Sequence, residues 1–199
     1  MMESLVTRQD QLDHLADEIG ADPACANLAS QPARLVMGHG NLHTDIVFIG
    51  EAPGKKEDET GMPFQGAAGR FLNTMLGAAA LDREAVYITN IVKYRPPENR
   101  DPTKAEKQAF LPYLLQELAI IQPEVVVTLG RHSMEYFLPG AVISEVHGTL
   151  HDVTVQSQKL VIAPLYHPAA ALYNGSLRQT LIDDFLSVIQ QLKARDSLR

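Results

Sequence analysis

Short apolar runs alternate with longer stretches of helical periodicity along most of this chain. Leu5, Leu12, Leu15 and Ile19 recur at helical spacing and predict a first helix over 5–19. Ile46, Val47, Phe48 and Ile49, closed by Gly50, read as a buried strand. Residues 54–66 are polar and glycine-bearing, so they read as a loop. Phe71, Leu72, Met75 and Leu76 give a helix over 67–80, and 86–89 gives the next strand. Pro96, Pro97 and Pro102 then forbid a regular element over 90–102. Thr103 and Glu106 form the pattern of a capping box before Phe110, Leu111, Leu114, Leu115, Leu118 and Ile121, a helix that Pro112 is expected to kink or split. Residues 125–129 read as a β-branched strand, followed by Gly130 and a short helix to Leu138. Residues 142–155 read as a turn or hairpin about Gly148, 160–163 as the last core strand and 165–174 as a loop. Leu177, Leu181, Ile182, Phe185, Leu186 and Ile189 predict a closing amphipathic helix.

Alternation of strand and helix is the signature of a mostly parallel sheet covered on both faces. The expectation is therefore one α/β domain over 1–199, three layers deep, with a central four-stranded sheet. In such sheets ligands bind at the carboxyl ends of the strands. That rule selects the loops beginning at Gly50, Asn90, Gly130 and Pro164.

Composition narrows the classes. No apolar run reaches the ~18–20 residues of a membrane-spanning helix. The first twenty residues lack the basic start, apolar block and cleavage site of a signal peptide, so a cytoplasmic protein is expected. Cys25 is the only cysteine, which rules out an internal disulfide. His39 and His43 have i, i+4 spacing, but Gly38, Gly40 and Asn41 place them in a loop, and no metal site is expected. The net charge of −7 argues mildly against nucleic acid. A small DNA enzyme needs only a local basic rim, however, and Lys93, Arg95, Arg100, Lys104 and Lys107 fall close together among Glu98, Asp101 and Glu106. On charge alone that stretch equally fits an ordinary mixed surface.

The candidate chemistry lies in the selected loops. Gly50-Glu51-Ala52-Pro53-Gly54 puts a carboxylate at the mouth of the sheet, able to orient or deprotonate water. Phe64, in Pro63-Phe64-Gln65-Gly66, is able to stack on a flat ring. Taken singly, Glu51 reads better as a solvated turn residue and Phe64 as a plug over the core. Asn90, directly after a strand, offers one acceptor and one donor pair in a fixed direction, matching a pyrimidine edge, or else bonds nearby backbone. His167, stiffened by Pro168 and followed by three alanines, can bring a hydrogen bond to the same place.

These three segments, the second with its Arg95-Pro96-Pro97-Glu98-Asn99-Arg100 tail, together resemble the family-four uracil-DNA glycosylases, from about Cys25 to the last helix. The resemblance implies hydrolysis of the N-glycosidic bond of uracil in DNA, on a base flipped out of the duplex. It implies that Phe64 stacks on uracil, Asn90 reads its edge, His167 bonds the carbonyl beside the scissile bond, and Glu51 attends the attacking water. Gly50 and Ala52 are expected to join the substrate pocket, and Lys93, Arg95, Arg100, Pro168 and Leu172 to meet DNA. No partner but uracil-containing DNA is implied, and a monomer is expected.

The chain departs from that family at the iron–sulfur cluster. The four cysteine positions correspond to Cys25, Leu28, Tyr94 and Phe110, so three thiolates are missing and no cluster is expected. The bulky replacements are expected to fill its volume. Tyr173 stands where the family commonly has a basic residue, and Leu172 or Tyr173 is placed either to wedge into the base stack or to pack on the last helix. An arginine-rich insertion between Asn90 and Pro102 is absent, which disfavours the DNA-trapping variants. The alternatives are a non-catalytic DNA-damage-binding protein on the same fold, a nucleoside hydrolase or nucleotide binder lacking the usual phosphate motifs, and an unrelated α/β domain.

Overall fold

The computed structural model describes residues 6–29 and 33–196, so Leu5 of the first predicted helix lies outside the described residues. Among the described residues the sheet has six strands, not four: β1 (His39–Gly40), β2 (Ile46–Gly50), β3 (Tyr87–Asn90), β4 (Val125–Leu129), β5 (His151–Val155) and β6 (Gln158–Leu165), in the order β1-β3-β2-β4-β6-β5. The inner strands β3, β2, β4 and β6 run parallel and are the four that apolar runs predict. The additional strands are antiparallel edges. β1 is two residues long and carries no hydrophobic signal, pairing His39 with Ile88 and Gly40 with Tyr87 through backbone. β5 is only half-buried on alternate residues, and its hairpin turns at Gln156-Ser157, eight residues beyond Gly148.

Helices cover both faces. α1 (Arg8–Ala21), α2 (Pro23–Ala29) and α5 (Lys104–Ile121) pack on one side through Leu12, Leu15, Ile19, Phe110, Leu114 and Leu118 against Val47, Ile49 and Val126. α4 (Ala67–Ala78) and α9 (Leu177–Asp196) pack on the other through Phe71, Leu72, Leu181 and Phe185 against Phe48, Val127 and Leu165. Opposite fates of Val47 and Phe48 follow from the two-residue period of a strand. This is the expected three-layer α/β arrangement. The Thr103–Glu106 capping box forms as predicted. α5 runs unbroken past Pro112, which lies on the exposed side of the helix.

The described residues also include α3 (Lys55–Thr60), α6 (Arg131–Met134), α7 (Ile143–Val146) and α8 (Ala170–Tyr173); of these, α6 is the short helix predicted after Gly130, ending at Met134 rather than Leu138. Two of them, α3 and α8, stand where loops are predicted. α3 is polar on nearly every side and gives no apolar pattern at all.

Candidate active site

The carboxyl ends of β2, β3, β4 and β6 gather the sequence-selected residues into one place. The last ladder pair of β2 and β3 sets Gly50 opposite Asn90. A Cβ on Gly50 would stand 2.5 Å from Asn90 Oδ1 and 2.6 Å from the tip of the Phe64 ring. Only glycine lets these three groups meet. The Phe64 ring in turn faces the His167 imidazole, with centroids 5.9 Å apart and planes tilted by 33°.

Phe64 is buried and holds a left-handed backbone at φ 54°, a conformation that costs a bulky residue free energy. The loop is built to hold it. Glu57, on α3, is buried and its carboxylate accepts from three backbone N–H groups: Gly54 at 3.1 Å, Gln65 at 2.7 Å and Gly66 at 2.8 Å. A Cβ on Gly69, in the first turn of α4, would run into the main-chain oxygen of Phe64.

Asn90 is 1% exposed, and no group among the described residues hydrogen-bonds either its Oδ1 or its Nδ2. A buried, unpaired carboxamide costs roughly 1–3 kcal/mol. His167 accepts the Ala169 N–H at Nδ1, 3.2 Å away, which leaves the ring proton on Nε2 as a donor. Burial, reinforced by His132, pushes its imidazole down to about 4, so it is neutral at pH 7.

Glu51 keeps about a quarter of its side chain accessible, yet Oε1 is buried and lacks a hydrogen-bond partner. His132 Nε2 stands 3.5 Å away, too far for a short hydrogen bond. Burial first, then the charge of Asp101, raises the Glu51 carboxyl to about 7. His132 lies 3.2 Å from Asp101 Oδ2 and 3.1 Å from Lys107 Nζ. Glu51, Asp101 and His132 bring one ligating atom each within 4.8 Å of one another, but Lys107 and Arg131 bring positive charge to the same place. A bound cation would have to overcome that repulsion.

Two residues expected to meet DNA do not face solvent. Lys93 is fully buried, paired with Glu117 and bonded to Thr89 and to the Asn90 main chain. Its charge compensates an interior carboxylate, so it presents nothing to a phosphate. Pro168, in the turn directly after His167, is also buried. The other three remain accessible. Arg95 bonds Asn99 Oδ1 at 2.7 Å, Arg100 forks onto Glu106 at 2.8 and 2.6 Å, and Leu172 is exposed beside the almost wholly exposed Tyr173.

Asp101, His132, Glu57 and Glu117 were not singled out by sequence. The strand-end rule selected the loop at Gly130 without marking His132, and Glu57 and Glu117 sit in helices with no motif around them. The four positions that the resemblance assigns to cluster cysteines do converge. Cys25, Leu28, Tyr94 and Phe110 are all buried in one core cluster, with the Tyr94 and Phe110 rings edge to face at 6.1 Å. Three of the four side chains carry no sulfur, and burial pushes the Cys25 thiol up to about 12, away from the thiolate a cluster needs. This donor set does not fit a four-iron cluster.

Comparison with known proteins agrees with the geometry. Residues 37–193 match the uracil DNA glycosylase superfamily. The type-4 uracil-DNA glycosylase of Saccharolobus solfataricus is 41% identical, across 94% of this chain and 88% of its own. That of Sulfurisphaera tokodaii is 40% identical across 90% and 84%, and that of Archaeoglobus fulgidus 41% across 90% and 92%. With these matches spanning the same segments that meet at the strand ends, the chain belongs to the uracil-DNA glycosylase superfamily, among its type-4 members.

Proposed function

We propose that this pocket excises uracil from DNA by hydrolysing the N-glycosidic bond of a flipped nucleotide, the initiating step of base-excision repair. The observation that carries the reading is the Asn90 carboxamide, buried beside the Phe64 ring with both its polar atoms free. Uracil offers a ring N–H and a carbonyl to such a group. Cytosine reverses that pattern and would leave buried polar atoms opposed, which such sites reject strongly.

Phe64 stacks on the ring, and Gly50 and Ala52 line the approach. As the bond to the sugar lengthens, negative charge gathers on the departing uracil, and neutral His167 donates its Nε2 proton's hydrogen bond to the adjacent carbonyl oxygen. Preorganised donors of this kind contribute on the order of a hundredfold or more in rate. The sugar becomes oxocarbenium-like. Glu51 steadies that positive charge and orients the water whose oxygen bonds to the sugar carbon, its proton passing to the carboxylate. Uracil leaves as its anion and the proton taken by Glu51 returns to it through solvent, so the products are free uracil and an abasic site. Arg95, Arg100 and Leu172 meet the DNA around the flipped nucleotide. The reaction uses no metal, so a chelator leaves the rate unchanged.

In the same reading the chain works without an iron–sulfur cluster, as a monomeric single-domain enzyme of the cytoplasm. Packing of Leu28, Tyr94 and Phe110 supports the first point, since these side chains occupy the volume the resemblance assigns to a cluster. The purified protein should contain no iron and show no cluster absorption while fully active. Stoichiometric iron in the active protein would refute this.

A labelled oligonucleotide with a single uracil tests the activity, beside thymine, cytosine and hypoxanthine controls. Alkali-labile cleavage at uracil is expected, slowed at least about a hundredfold in Asn90→Ala and His167→Ala. Tight binding without cleavage of any strand would instead identify a damage-binding protein.

A further inference from the structure

The buried ion pair beneath Asn90 has no part in the chemistry above. Lys93 and Glu117 are both fully buried. The Lys93 ammonium donates to Thr89 Oγ1 at 2.6 Å, to the main-chain oxygen of Asn90 at 2.9 Å and to Glu117 Oε2 at 2.5 Å. These acceptors use all three of its protons. Glu117, from the middle of α5, also accepts the Tyr87 hydroxyl at 2.8 Å, the Gly38 N–H at 3.2 Å and the Thr89 hydroxyl at 3.1 Å. Tyr87, Thr89 and Asn90 are all on β3.

A buried ion pair is a poor way to add stability, because desolvation offsets most of its attraction. Its position says more. Among the described residues the Asn90 side chain has no hydrogen bond of its own, so no polar partner fixes its direction, and its main chain does so together with the close packing at Gly50 and Phe64. β3 ends at Asn90, and the next four residues have no regular structure. Three bonds hold the chain as it leaves the strand: Ile91 N–H to the Gly50 oxygen at 3.1 Å, Val92 N–H to the Glu51 oxygen at 3.2 Å, and the Lys93 ammonium to the Asn90 oxygen. The first two tie it sideways to the Glu51 strand end. The ammonium ties it down to the core.

We propose that Lys93, held by Glu117, is a positioning residue that aims the Asn90 carboxamide at the base. The inference rests on Asn90 being the reading residue. Small misplacements at a reacting centre cost about a hundredfold in rate. Lys93 therefore acts on uracil release through Asn90, without touching substrate or DNA.

A double-mutant cycle tests it. Lys93→Met is compared with its parent in the wild-type and Asn90→Ala backgrounds. The thermal midpoint of each variant is determined first, and single-turnover uracil release and affinity for undamaged oligonucleotide are then measured well below it. Lys93→Met should slow release about 30- to 100-fold in the Asn90 background. In the Asn90→Ala background it should slow release less than about threefold, and affinity for undamaged DNA should hold within about twofold. Equal losses in both backgrounds would overturn the proposal, leaving Lys93 merely structural. A fall of about one in the salt slope of binding would overturn it too, returning Lys93 to the phosphates. Should Lys93→Met fail to fold, Thr89→Val removes one of the ammonium's acceptors while keeping the ion pair. It should slow release several-fold, again only when Asn90 is present. Asn90→Ala alone separates the premises: if that variant releases uracil normally, the reading role of Asn90 fails before the cycle is interpreted.

Discussion

At the residue scale, the site holds polar groups in states that cost stability. The Glu51 carboxyl titrates near 7 in the folded protein against 4.5 for an ordinary glutamate, with Asp101, Lys107, Arg131 and His132 facing it. Its ionised form is the one that orients water. Uracil release should therefore rise as pH passes through about 7 and level off above pH 8, and Glu51→Gln should abolish that rise along with most of the activity. The same shift has a consequence for stability. Between 4.5 and about 7 the folded state keeps a proton that the unfolded chain has lost, so this group's contribution falls as pH rises across that window. His167 works the other way: its folded value near 4 lies below 6.5, so its contribution rises with pH between the two. Comparing Glu51→Gln with its parent isolates the first effect. The variant should melt above the parent at pH 8, and the difference should shrink towards pH 4.5. An advantage that does not change with pH would show that the carboxyl is not shifted. Gly50→Ala is the steric counterpart. Its methyl would displace Asn90 or Phe64, so activity should fall about a hundredfold or more while the fold persists.

At the element scale, loops that look polar and unstructured are organised by buried carboxylates. α3 gives no apolar signal because its purpose is to carry Glu57 under the Phe64 turn, where one carboxylate serves three N–H groups. Glu57→Gln keeps the size and loses the charge and part of the acceptor capacity. It should cost about 1–3 kcal/mol of stability, read as a lowered thermal midpoint. It should also weaken substrate binding by freeing Phe64 from its left-handed conformation. A variant with lowered stability but unchanged KM and kcat would show that the Phe64 turn holds itself. α5 does the equivalent work beneath β3 through Glu117. The strands and long helices were legible because burial on one or both faces imposes a period on apolar residues. Glu57 and Glu117 were not, because one buried polar residue in a helix leaves no period to read.

At the scale of the whole molecule, a chain of net charge −7 has to approach a polyanion. With Lys93 turned into the core, the accessible cations near the site include Arg95, Arg100, Lys107 and Arg131, several already facing carboxylates. Affinity should fall steeply with salt. Arg95→Ala and Arg100→Ala should each weaken binding to all sequences alike and lower the salt slope by about one, measured by fluorescence anisotropy. An unchanged slope in both would place the DNA elsewhere on the surface.

The sequence by itself determined the four parallel strands, the helices on both faces, and the strand ends where Gly50, Asn90 and His167 would meet. Each follows from local rules: the two-residue period of strands, the 3.6-residue period of helices, and the strand-end position of ligands in parallel sheets. Membership in the glycosylase superfamily was legible in three short segments read together. Tertiary structure alone decided the two edge strands, since β1 pairs through backbone and β5 carries only weak alternation. It alone turned Lys93 from surface to core, because a lysine's burial depends on whether a distant carboxylate, Glu117, arrives to neutralise it. It also brought Asp101 and His132 beside Glu51 and gathered Cys25, Leu28, Tyr94 and Phe110 into one packed cluster. Contacts between residues far apart in the chain leave no local period behind, and only the folded arrangement sets them.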